Sequence, residues 1–129
     1  MTKSADFELK DLSPLFLVSD LERSITFYTQ VLGFDIRFRY EDFYAGLGKD
    51  GFSIHLKLGQ RTPGEREKRK SKEDIDITFS IEGIEKIYDD LIHHSVNIIQ
   101  ALRVMPYGSE FYISDPDGYI IAFLECSAN

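Results

Sequence analysis

The sequence has a single cysteine, Cys126, and no tryptophan. One thiol closes no disulfide within the chain, and no Cys-x-x-Cys pair is present to hold zinc. Cys126 has no basic neighbour in sequence to activate it and reads as inert. No apolar run approaches the ~20 residues that cross a bilayer. The first ten residues, Met1 to Lys10, are polar and carry acids, unlike a signal or transit peptide. These absences leave a cytoplasmic protein with no membrane partner as the simplest reading. There is no P-loop, no GxGxxG and no GxSxG, so the usual phosphate cradle and nucleophile elbow are missing. Excess positive charge is missing too. Lys and Arg number 15 against 22 Asp and Glu, a net charge of −7, which argues against nucleic acid as a partner.

What is present is a globular composition, 43% hydrophobic and 29% charged over 129 residues, enough for one domain with a real core. Leu15 to Val18 forms a short apolar run. Ser19 and Glu22 then have capping-box spacing, with Asp20 as an alternative cap. Leu21, Ile25, Tyr28, Val31 and Leu32 fall on one helical face, and Gly33 stops the helix. Three strand-like runs follow, Asp35 to Tyr40, Phe43 to Leu47 and Phe52 to Leu58, with Asp50-Gly51 as a hairpin signal. The order then recurs. Ile75 to Ile81 alternates as a strand, and Ile84, Ile87, Tyr88, Leu91 and Ile92 make a helical stripe. Asn97 to Val104, Glu110 to Ser114 and Tyr119 to Leu124 read as strands, with Asp115-Pro116-Asp117-Gly118 marking a turn.

The halves superimpose. An offset of 63 takes Val18 to Ile81 and Leu21 to Ile84, and an offset of 67 takes Asp50-Gly51-Phe52 to Asp117-Gly118-Tyr119. A strand–helix–three-strand unit used twice predicts an α+β domain spanning residues 1–129. Module one covers about 12–58, a charged connector about 59–74 and module two about 75–125. Two βαβββ modules with curled mixed sheets can enclose a cleft, where a small molecule would sit. Within the connector, Arg61 to Lys72 carries six basic and two acidic residues. It reads as a solvated loop rather than a nucleic-acid patch, since it lacks interleaved aromatics.

The run Val18-Ser19-Asp20-Leu21-Glu22-Arg23-Ser24-Ile25-Thr26-Phe27-Tyr28, closing with Leu32-Gly33-Phe34, resembles the first module of the vicinal oxygen chelate superfamily. Asp115-Pro116-Asp117-Gly118-Tyr119 resembles the turn near its end. The superfamily includes glyoxalase I, extradiol dioxygenases, fosfomycin-resistance enzymes and bleomycin-resistance proteins. The resemblance covers Leu12 to Glu125. It implies four metal-ligand positions, one from the first and one from the last strand of each module: Ser13, His55, Asp76 and Ala122. The repeat supports the mapping, since the offset of 63 links Ser13 to Asp76 and that of 67 links His55 to Ala122. Alanine has no donor atom and neutral serine is a poor ligand, whereas catalytic zinc normally takes three protein ligands and water. The expectation is therefore no metal and no cofactor.

Taking those positions as facing the cleft, alternation turns Leu15, Leu17, Ser53, Lys57, Thr78, Ser80, Ile120 and Leu124 the same way. Phe16, Val18, Ile54, Leu56, Ile77, Phe79, Ile121 and Phe123 then pack on the helices. The candidate ligand-binding residues are His55, Asp76, Ser13, Lys57, Thr78 and Ala122, with no catalytic residue assigned. A His55–Asp76 contact would satisfy an inward carboxylate. Phe38, Tyr40, Phe43, Tyr44, Tyr107 and Tyr112 read mainly as core aromatics, some able to stack on a ligand. His93 and His94 read as surface residues near a helix end.

The resemblance points to a homodimer that sequesters a small organic ligand, amphipathic or, given the net charge, cationic, as bleomycin-resistance proteins do. The alternatives are a metal-dependent lyase or dioxygenase with an atypical site, and a cofactor-free enzyme using His55 and Asp76.

Overall fold

Apolar residues recur at period two in the predicted strands and at helical spacing between them. In the computed structural model, which describes residues 5–59 and 74–127, that pattern folds as two strand–helix–three-strand modules. The first comprises β1 (Leu15–Val18), α1 (Leu21–Thr26), β2 (Asp35–Tyr40), β3 (Tyr44–Lys49) and β4 (Phe52–Leu58). The second comprises β5 (Ile77–Ser80), α2 (Ile84–His93), β6 (Asn97–Met105), β7 (Gly108–Ser114) and β8 (Ile120–Cys126). Each module makes a four-stranded mixed sheet, in the orders β1-β4-β3-β2 and β5-β8-β7-β6. In each, the first and last strands pair in parallel and the others antiparallel. Most of the charged connector, residues 60–73, lies outside the described residues.

The repeat survives down to register. Leu15 pairs with His55 in the first sheet and Thr78 with Ala122 in the second. These are the partners that the offsets of 63 and 67 interconvert. Strand parity holds as well. Phe16, Val18, Ile54, Leu56, Ile121 and Phe123 are buried in one core that spans both modules, with Ile77 and Phe79 packed at its edge. Leu21, Ile25, Tyr28, Ile84 and Leu91 close the core from the helices. Ile92, at the margin of its stripe, stays 45% exposed.

Helix boundaries differ from the simplest reading for local reasons. Asp20, not Ser19, caps α1 by accepting from the Arg23 amide, because Ser19 is committed elsewhere. The apolar stripe beyond α1 continues through a π-helical turn, Phe27–Val31. Gly33 then leaves it at φ +78°. At α2 the N-cap is Gly83, which has no side chain, and Glu125 of β8 supplies the carboxylate that accepts from the Ile84 amide at 3.0 Å. His93 and His94 bond the carbonyls of Asp89 and Asp90 at the last turn, as expected of residues at a helix end.

The turn between β7 and β8 joins the modules. Asp115 Oδ1 accepts from the amides of Asp117 and Tyr119, and its Oδ2 accepts from the buried Tyr28 hydroxyl at 2.7 Å. Asp117 accepts from the amide and hydroxyl of Ser19 and from the Ser24 hydroxyl. The Tyr119 ring stacks on Phe16 with centroids 4.2 Å apart. Its hydroxyl accepts from the Leu17 amide and donates to the Leu17 carbonyl, at 2.8 and 2.9 Å. β1 is an edge strand, so Tyr119 satisfies backbone groups that would otherwise lie open.

Burial pushes the Asp115 carboxyl up to about 6, against the opposing pull of its hydrogen bonds from Tyr28 and two amides. An unfolded chain releases that proton near 3.8. Between these values the folded state holds a proton that the unfolded state has lost, so this group's contribution to stability falls as pH rises and levels off above about 6. Asp115→Asn keeps an oxygen for the two amides and places an amide toward Tyr28, whose oxygen can accept. The melting temperature of Asp115→Asn relative to the parent should therefore rise between pH 4 and pH 6.5, by the equivalent of at most about 3 kcal/mol. A difference that stays flat across that range contradicts the assignment.

Candidate functional site

The face of the first sheet turned away from the helices is built by a bulge and two glycines. Between Ile36 and Phe38 the β2–β3 register shifts, so the bulge turns both Arg37 and Phe38 onto the same face. Beneath them on β3 lie Gly46 and Gly48. A methyl at Gly46 would meet the Phe38 ring, and one at Gly48 the Arg37 guanidinium. The absent side chains let both long groups lie flat across the strand.

His55 sits opposite Gly46 and Leu15 in this sheet. Its Nδ1 shares a 2.8 Å hydrogen bond with the Tyr44 hydroxyl. The Phe38 ring meets the imidazole edge-on at 5.3 Å, and Tyr44 does so at 5.5 Å. Tyr40 adjoins Phe38 and Tyr44 at 5.5 and 6.4 Å. Phe38, Tyr40, Tyr44 and His55 thus make one continuous aromatic wall. It is not core: Phe38 and Tyr40 are 38% and 59% exposed. This corrects the reading of these rings as mainly core residues. Lys57 continues β4 on the same face, in register with Tyr44. At the other end Arg37 donates to the Ser53 hydroxyl, which donates to Asp11. The Ser53 hydrogen bond, with that of the Leu12 amide, holds the Asp11 carboxyl below the usual range.

The corresponding face of the second sheet is closed on itself. Glu110, 5% exposed, takes both the Arg103 fork and the hydroxyls of Tyr107 and Tyr112. Burial alone would raise its carboxyl, and these donors outweigh burial and hold it below the usual range. Arg103 also reaches Gln100 and lies 5.7 Å from the Tyr112 ring centroid. Tyr112, Ile120, Ala122 and Ile99 form a small apolar cluster beside it.

The six candidate residues divide between the two modules. Ser13, His55 and Lys57 belong to the first, and the Ser13 hydroxyl donates to Asp11. Asp76, Thr78 and Ala122 belong to the second, with Thr78 opposite Ala122. The expected His55–Asp76 contact is not the one made by their described hydrogen bonds. His55 turns to Tyr44, and Asp76 Oδ2 accepts from the Ile120 amide at 2.8 Å. Among the described residues no group of three or more His, Cys, Asp and Glu is placed to hold a metal ion. The four positions that the resemblance implies do not fit one on chemical grounds: Ala122 offers no donor atom, Ser13 is a neutral hydroxyl, and one Asp76 oxygen accepts from β8. Arg37, Asp11, Arg103 and Glu110 were not singled out from sequence. The one available signal was the Gly46-x-Gly48 spacing within a strand, which marks close approach of neighbouring side chains.

A family model described as the Glyoxalase/Bleomycin resistance protein/Dioxygenase superfamily matches residues 13–123, and the chain belongs to that superfamily. Three solved structures share its fold. UcmS2 is 20% identical, with a TM-score of 0.75 over 92% of this chain and 99% of its own. TnmS3, an antibiotic binding protein from Streptomyces sp. CB03234, is 20% identical, with a TM-score of 0.68 over 97% and 100%. The bleomycin-binding protein of Streptomyces verticillus, solved with copper(II)-bleomycin, is 14% identical, with a TM-score of 0.68 over 95% and 100%. No curated protein matches the sequence. Among the described residues no helix is long and apolar enough to cross a membrane.

If Gly46 is what lets Phe38 lie against His55, Gly46→Ala should lift that ring away while the fold persists, since Phe38 is an exposed side chain free to swing. The His55 ring protons, readable by NMR among only three histidines, should then move toward the shifts of the exposed His93 and His94. The stability change should stay within about 1 kcal/mol. Unmoved His55 resonances in a folded variant would contradict the arrangement.

Proposed function

We propose that this protein binds a small amphipathic ligand on the open face of its first sheet, without a metal and without transforming it. The aromatic wall of Phe38, Tyr40, Tyr44 and His55 carries the reading. Large exposed rings on a rigid sheet, unused by the core, supply stacking area at little entropic cost. His55 and Lys57 provide polar contacts within reach of that wall, where an amphipathic molecule would place its polar edge. The antibiotic binding protein TnmS3 and the bleomycin-binding protein share this fold, which supports sequestration over catalysis. The donor set at Ser13, His55, Asp76 and Ala122 supports metal independence.

The working unit in this reading is a cytoplasmic homodimer, in which the open face of one copy's sheet is covered by the other copy. Exposed apolar side chains at Leu15 and Phe38 favour such cover. The whole-chain charge favours a cationic ligand, but Lys57 lies on the face that carries the aromatic wall, in register with Tyr44.

Protein purified without chelators should hold well under one zinc, nickel, iron or manganese per chain by elemental analysis, and should scatter light as twice 14.9 kDa. Near-stoichiometric metal that survives dialysis would overturn the metal-free reading. A mass of one chain at micromolar concentration would overturn the dimer.

A further inference from the structure

The charge of the ligand follows from which cations on the molecule are already spoken for. Arg23 pairs with Asp117, Arg39 with Glu22 and Asp42, and Lys49 with Asp50. Lys86 pairs with Asp90, Arg103 with Glu110 and Lys10 with Glu8. Arg37 is tied to Ser53 beside Asp11. Among the described residues Lys57 is the one cation for which neither an ion pair nor a hydrogen bond is described. It projects from the same face of β4 as His55, two residues along, and so roughly 7 Å away. It flanks the aromatic wall through its register with Tyr44.

His55 presents a second donor on the same face of β4. A phenol is a better donor than acceptor, so the Tyr44 hydroxyl donates to Nδ1, and Nε2 then carries the hydrogen. Protonation of the ring would leave Nε2 a donor as well. Nε2 makes no hydrogen bond among the described residues. The face therefore offers a flat aromatic surface bordered by two outward N–H donors, one of them charged, with no carboxylate within ion-pair reach of the Lys57 ammonium among the described residues.

We propose that the ligand is a planar aromatic molecule bearing an anionic oxygen, a carboxylate or phenolate, which Lys57 and His55 recognise while the ring system stacks on Phe38 and Tyr40. This rests on the binding role proposed above and assigns the sign of the ligand's charge against that of the chain as a whole. A cationic ligand would meet the Lys57 ammonium as a like charge. A neutral one would leave the Lys57 charge without a partner once a second copy covers the face.

The test uses three probes that differ only in charge: 2-naphthoate, 2-naphthalenemethanol and 2-naphthylmethylammonium. Each is titrated into the full chain at low ionic strength and followed by calorimetry. The naphthoate should bind about tenfold tighter than the ammonium. Added salt should narrow that gap, and Lys57→Met should bring the two affinities within about twofold of each other. Lys57 is exposed, so the variant should fold. Equal or tighter binding of the ammonium, or a preference for naphthoate that Lys57→Met leaves intact, overturns the inference while leaving the aromatic site standing. Failure of all three probes to bind at millimolar concentration overturns the binding role itself, and this inference with it.

Discussion

The buried turn Asp115–Tyr119 is the constraint on which the rest of the structure depends. Two sheets with helices on one face each could meet in many ways. Here a carboxylate at Asp115 takes the Tyr28 hydroxyl, and one at Asp117 takes Ser19 and Ser24. Tyr119 stands in as the missing neighbour of edge strand β1. Tyr28, Ser24, Asp115, Asp117 and Tyr119 are all buried, so loss of one partner would strand the other without water, which is what makes the contact unforgiving. Asp115 resists burial as an anion, and its hydrogen bonds only partly offset that cost. The repeat shows the specialisation. The matching position in module one, Phe52, is 75% exposed, whereas Tyr119 is 6% exposed. One turn is a joint between the modules and its counterpart a plain hairpin.

Because that joint lies on the helix side of β1, both open faces remain clear of it, and they have diverged. On the second sheet, Glu110, Arg103, Tyr107 and Tyr112 satisfy one another, leaving little to offer a ligand. On the first, Gly46 and Gly48 let Phe38 and Arg37 lie across β3, and the aromatic wall and Lys57 remain exposed. Within that wall His55 is held by Tyr44.

Most of the fold was legible in the sequence because it is written in local periodicity. Strand parity placed Phe16, Val18, Ile54 and Leu56 in the core, and the offsets of 63 and 67 reappear as the pairings Leu15–His55 and Thr78–Ala122. What could not be read depends on contacts distant in sequence. Ser19 lost the cap of α1 to Asp20 because Asp117, 98 residues away, claims it. Glu125 caps α2 across 41 residues. The aromatics from Phe38 to Tyr44 looked like core by composition. The bulge at Arg37 and the glycines opposite, neither visible as a period, put them on the open face. Net charge is equally blind to placement, since a chain that is acidic overall sets Lys57 on the open face of its first sheet, in register with Tyr44.

The central claim is that the open face of the first sheet is where a ligand sits, and backbone amide shift mapping by NMR with neutral 2-naphthalenemethanol tests it without reference to ligand charge. The largest perturbations should fall at Phe38, Gly46 and His55, at the centre of the aromatic wall. Perturbations centred on Gln100, Arg103 and Glu110, or on the helices, with Phe38, Gly46 and His55 unmoved, would contradict it.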